Sequence, residues 1–148
     1  MATTEHHRAA LDRYIELFSA GKGEAWSELF AVDADHEDPV GTPPNEGRPG
    51  ILAFYENTRK LFGAVSLRAT QPPIVIGNEA VMTLEAVFGE GEGRARIPHI
   101  VDVIRFDETG DICSLRAFWD MASLTPDPEE RAQARVSDAG GGPNRPRA

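Results

Sequence analysis

The chain has 148 residues, 41% of them hydrophobic and 26% charged, which suits one globular domain. Its net charge of −9 repels phosphate backbones and anionic lipid surfaces, so no nucleic-acid partner is expected and a neutral, apolar ligand fits better than an anionic one. No apolar run approaches the roughly 20 residues of a membrane span, residues 1–8 hold no apolar leader core, and the one cysteine, Cys113, excludes an intrachain disulfide, so a cytoplasmic protein without membrane insertion is expected.

Leu11, Tyr14, Ile15 and Phe18 fall on one face of a helix that Gly21 and Gly23 end. A second short helix is expected with Ala25, Trp26, Leu29 and Phe30 on its apolar side. An extended piece, Asp35-His36-Glu37-Asp38, follows. Pro39 keeps Asp38 out of the helical region. Turn formers fill residues 41–47. A third helix begins near Pro49 and carries Ile51, Phe54, Tyr55 and Thr58.

After Gly63 the period becomes two. Val65, Leu67 and Ala69 alternate with polar residues until Pro72-Pro73 interrupts the strand or marks an edge. Ala80, Met82, Leu84, Ala86 and Phe88 form the next strand, and residues 89–93 read as a hairpin loop. The longest strand runs from Arg94 to Phe106. Residues 107–110 make a second hairpin loop, and Ile112 to Trp119 form the last strand. Helices followed by an antiparallel meander predict an α+β fold, with the helices on one face of a curved sheet. The domain is expected to end at residue 125. The Pro-, Gly-, Arg- and Ala-rich stretch from Pro126 to Ala148 is expected to be disordered.

Three polar residues stand where apolar ones are expected. Asp102 shares a strand face with Ile100, Ile104 and Phe106. A carboxyl there becomes protonated, and so a hydrogen-bond donor, or it finds a cation such as Arg105 or Arg116, or it lies on a solvated edge. Tyr14 lies on the buried stripe of the first helix, either as a core residue with a satisfied hydroxyl or as a donor to a ligand. Asp38 sits in an acidic run with Asp33, Asp35 and Glu37, which alone reads as a solvated loop; in an extended backbone it shares a face with His36.

The segments Arg13-Tyr14-Ile15-Glu16-Leu17, Asp35-His36-Glu37-Asp38-Pro39-Val40-Gly41 and Val101-Asp102-Val103-Ile104-Arg105-Phe106 together resemble the bacterial ketosteroid isomerases. Gly47-Arg48, Ala53-Phe54-Tyr55 and Arg116-Ala117-Phe118-Trp119 extend the resemblance, which covers about residues 8 to 122. These proteins sit in the wider nuclear transport factor 2-like, or SnoaL-like, superfamily. The resemblance implies a cone: a curved antiparallel sheet wrapped by three helices around a deep apolar cavity, usually as a homodimer. It implies a steroid delta-isomerase working without cofactor or metal on a steroid or similar apolar ketone. Asp38 matches the general base, and Tyr14 and Asp102 match the donors to the enolate oxygen. A neutral aspartic acid that donates is a device for which ketosteroid isomerases are themselves the standing example. Tyr55 matches a tyrosine that hydrogen-bonds the catalytic tyrosine in some members, while Phe30 replaces a further tyrosine of that network. Phe54, Met82, Phe88, Leu115 and Trp119 are the candidates, with Tyr55, for contact with substrate.

Other readings remain open from sequence. One is a polyketide cyclase or epoxide hydrolase on the same fold; the epoxide hydrolases of this superfamily use an Asp-Arg-Asp set around a water, which Arg105 fits poorly because it points away from Asp102. A non-catalytic module binding an apolar ligand is also compatible with the fold. His36-x-Asp38 and His99-x-x-Asp102 make a weak case for a metal, since His99 and Asp102 diverge on a strand. Cys113 is expected as a buried thiol on the face of Leu115 and Trp119. His6 and His7 are expected in solvent.

Overall fold

A computed structural model of the chain describes residues 2–126. Helix α1 spans Thr4–Ser19, and Thr3 caps it by accepting a hydrogen bond from the His6 amide. Its buried face carries Leu11, Tyr14, Leu17 and Phe18. His7 is buried too, contrary to its expected solvation: its ring stacks on Phe106 with centroids 4.1 Å apart, and Nδ1 lies 2.9 Å from the Gly77 carbonyl oxygen.

Helix α2 is shorter than the apolar spacing suggests, Gly23–Ser27, and Phe30 opens strand β1 (Phe30–Glu37) instead of closing the helix. Gly23 is bare where α2 meets Tyr55: a Cβ there would overlap the ring carbons. Strand β2 (Asn45–Glu46) is brief, and α3 runs Gly47–Phe62. Then come β3 (Val65–Ala69), β4 (Ile74–Ile76), β5 (Glu79–Phe88), β6 (Ala95–Phe106), β7 (Ile112–Phe118), a 3-10 turn at Met121–Ser123 and β8 (Thr125–Pro126).

Three helices thus pack on an open, curved sheet of eight strands, the α+β architecture expected. The order is β2-β1-β7-β6-β5-β3, with β4 on β5 and β8 on β6. Strands β3 and β4 pair with successive halves of β5, and Pro72-Pro73 lies in the break between them. One pairing departs from the expected antiparallel meander: β1 lies parallel to β7. The two strands are remote in sequence, so no tight turn forces them antiparallel.

Two irregularities decide which side chains face inward. In β6 two residues, Pro98 and His99, stand opposite the single Glu85 of β5, so Ile97 and Ile100 are both buried. In β7 the register slips at Cys113, which buries Ile112 as well as Leu115 and Ala117. Cys113 is therefore half-exposed, not buried beside Leu115; its thiol donates to the Arg105 carbonyl at 3.4 Å. The boundary drawn at Pro126 falls on a residue paired with Ala95 of β6, and residues 127–148 of the expected tail lie outside the described residues. No described helix is long and apolar enough to cross a membrane.

Candidate active site

Between the helices and the sheet lies a cavity of about 330 Å³, at the lower end of the range for small-molecule sites. It sits over the end of the β5–β6 pair marked by Phe88 and Ile97. Its wall is largely apolar, and Tyr14, Asp38 and Asp102 all line it. Residues from a helix, a strand end and the longest strand, far apart in sequence, are brought to one cavity.

Asp102 lies in mid-β6, opposite Met82 on one neighbour and Ala117 on the other, with Ile100 and Ile104 buried on the same face. It is 2% exposed. The arginine partners that could have kept it ionised are elsewhere: Arg105 is exposed on the opposite face, and Arg116 pairs with Glu37 at 3.6 Å. Burial therefore pushes the Asp102 carboxyl well above its ordinary value of 3.8, and the negative charge of Asp38 pushes the same way. Tyr14 is 3% exposed, its ring tilted against Trp26 at 5.5 Å and Phe30 at 6.3 Å. Burial, then Asp102, then Asp38 hold its phenol well above 10.0, so the hydroxyl keeps its proton. Among the described residues, neither Tyr14 nor Asp102 makes a side-chain hydrogen bond or ion pair within the protein. Both remain able to donate to a ligand.

Asp38 follows β1 directly, at a cis peptide bond to Pro39. Its side chain is 14% exposed. Trp119, just past β7, donates its indole N–H to Asp38 Oδ1 at 2.6 Å, and His36 Nε2 lies 3.5 Å from Oδ2. The acidic run divides as strand alternation requires: His36 is buried, while Asp33 and Asp35 are exposed.

Of the residues expected to touch substrate, Phe54, Phe88 and Trp119 line the cavity. Met82, Leu115 and Tyr55 do not. Met82, opposite Asp102, and Leu115, opposite Ile104, are 1% and 0% exposed and belong to the packed core. Tyr55 is turned toward α1 and α2: its ring meets Phe18 at 5.2 Å and Trp26 at 6.0 Å, and its buried hydroxyl has no hydrogen-bond partner. The link from Tyr55 to Tyr14 implied by the resemblance is absent here. Sequence reasoning missed other wall residues. Ile97 was hidden by the irregular pairing at Pro98-His99, and Leu61 and Met121 are exposed apolar side chains that periodicity assigns to no core face. Asn45 was read as a turn former, yet it lines the cavity and contacts His36.

A relative from Nocardioides simplex, a steroid Delta-isomerase, is 31% identical over 112 residues, which span 76% of this chain and 88% of that protein. A solved structure of SalBIII, described as an epoxide hydrolase/cyclase-like enzyme in pyran ring formation in the polyether salinomycin, superposes with a TM-score of 0.74 at 24% identity. That match covers 86% of this chain and all of the other, and it speaks to the fold. The SnoaL-like domain family matches residues 11–115, and with the curved sheet, the three helices and the apolar cavity already described, the chain belongs to that family.

Proposed function

We propose that the protein is a steroid delta-isomerase, which moves the double bond of a 3-keto-5-ene steroid into conjugation with the ketone without a cofactor. One observation carries the reading: two carboxyls and a phenol wall a single apolar cavity, and burial pushes one carboxyl toward its neutral form. The similarity to the Nocardioides simplex steroid Delta-isomerase supports the choice of substrate class.

The chemistry follows from the protonation states. Asp38, as a carboxylate, takes a proton from C4. The C–H electron pair shifts into the ring and charge gathers on the C3 oxygen as a dienolate. Tyr14 and Asp102 donate their O–H groups to that oxygen as its charge grows, which is where preorganised donors lower a barrier most. Protonated Asp38 then releases the proton to C6, giving the 4-ene-3-ketone. Atoms balance, and nothing is oxidised or reduced overall. An ionised Asp102 could only accept, so its apolar surroundings are what fit it for this role.

The epoxide hydrolase reading needs an arginine among the catalytic carboxyls, whereas Arg105 is exposed on the outer face of β6. The test is the rise in ultraviolet absorbance as a 5-ene-3-keto steroid becomes a conjugated enone. Turnover by the native chain that is lost in Asp38→Asn is the expected result. A native chain that binds the steroid without converting it would overturn the reading.

A further inference from the structure

His36 is the one fully buried histidine, 0% exposed, and it does not line the cavity. Aromatic rings enclose it: Phe54 at 4.7 Å, Phe30 at 5.6 Å and Trp26 at 5.9 Å. Its two nitrogens have only two polar neighbours. Asn45 Nδ2 lies 3.0 Å from Nδ1, and Asp38 Oδ2 lies 3.5 Å from Nε2. A primary amide nitrogen only donates, so Nδ1 must offer its lone pair. In a neutral ring the proton then resides on Nε2, the nitrogen that faces the carboxylate.

We propose that His36, fixed in this tautomer by Asn45, is a positioning residue for Asp38. The inference rests on the reading of Asp38 as the proton-transfer base. The Trp119 indole hydrogen-bonds Oδ1, whereas the buried Nε2 of His36 makes no hydrogen bond and stands 3.5 Å from Oδ2, an N–H dipole facing the carboxylate. The indole bond is a hinge, and the unpartnered imidazole N–H is a guide that attracts the free oxygen. Oδ1 stays anchored, and Oδ2 is the oxygen that takes the proton from C4 and gives it to C6. The C4–H bond breaks as Oδ2–H forms, and Oδ2–H breaks as C6–H forms. A carboxylate held at one oxygen only would spend less time at the attack distance, which lowers kcat and leaves binding intact.

Nitrogen-15 NMR of the labelled native protein tests the tautomer directly. Protonated Nε2 with unprotonated Nδ1 at His36 is expected; a proton on Nδ1 overturns the proposal, whatever any variant does. Kinetics test the role. His36→Leu is expected to lower kcat about tenfold, the loss of one N–H dipole facing a charged group, with KM within about twofold. His36→Gln, which restores an N–H donor, should recover most of that loss. Native kcat in folded His36→Leu, or a loss confined to KM, contradicts the positioning role. The two readings fail separately: no isomerisation by the native chain sinks the assignment of Asp38 as base, while full isomerisation with the opposite tautomer sinks only the role of His36.

Discussion

Asp102 and Asp107 are neighbours along the chain, one in the middle of β6 and one just past its end, yet their surroundings drive them in opposite directions. At the cavity, Asp102 has Met82, Ala117, Ile100 and Ile104 around it, and burial shifts its carboxyl toward the neutral form. At the hairpin, Asp107 Oδ1 accepts from the Thr109 hydroxyl at 2.7 Å and from the Thr109 and Asp111 amides at 3.0 Å each. Those donors, led by the Thr109 hydroxyl, hold it below its ordinary value. Gly110, with φ of +90°, makes the turn that aims the amides possible. The same side chain is a hydrogen-bonded acceptor just past the end of the strand and a buried group without a hydrogen bond in its middle. What differs is whether the fold supplies N–H and O–H groups or hydrocarbon.

Substitutions at the cavity have the largest expected effects. Asp38→Asn removes the base and should lower kcat by about a hundredfold or more, while a phenolic steroid that mimics the dienolate still binds. Tyr14→Phe and Asp102→Leu each remove one donor, and each should lower kcat about a hundredfold. Asp102 also has a stability signature. Its folded value lies above its ordinary one, so the stability of the neutral form is complete below 3.8 and is lost as pH rises through the raised folded value. Asp102→Asn has no such proton to lose, so its stability relative to the native chain should improve as pH climbs through that window, as chemical denaturation would show. Trp119→Phe keeps an aromatic wall but removes the bond to Asp38 Oδ1, and a loss in kcat of about tenfold is expected.

The smallest effect is at the hairpin. Asp107→Ala should destabilise the fold by about 1 kcal/mol in denaturant melts, since the half-buried side chain is partly screened by solvent, and should leave kcat unchanged. Here the linkage has the opposite sign. The stabilisation is present above the ordinary carboxylate value and is lost as pH falls through the lowered folded one, so native and variant should converge in acid. A variant whose deficit grew in acid would show that Asp107 acts through something other than its carboxylate.

Much of this was legible from the sequence because it follows from period and local steric rules. Strand alternation put Asp102 on an apolar face, and helical spacing put Tyr14 on a buried stripe. The pairing of Pro72-Pro73 with a break at the sheet edge followed from the missing amide hydrogens. What was not legible depended on irregularity or on contacts remote in sequence. The bulges at Pro98-His99 and Cys113 change which residues face inward, and no periodicity announces a skipped register. Tyr55 turns away from Tyr14 because Gly23 leaves room for its ring, a fit between two helices that neither helix reveals alone. Trp119 reaches Asp38 only because β7 lies beside β1, the parallel pairing that a meander did not predict.

The account stands on a carboxyl group that keeps its proton because hydrocarbon surrounds it. Carbon-13 NMR of aspartate labelled at the side-chain carboxyl, assigned through Asp102→Asn, reads that group in the ligand-free protein. A signal for Asp102 that remains in the protonated range at neutral pH, while Asp107 titrates below the ordinary aspartate value, is the predicted result. An Asp102 signal already ionised at neutral pH would contradict the account, because a carboxylate there could give no hydrogen bond to a forming dienolate.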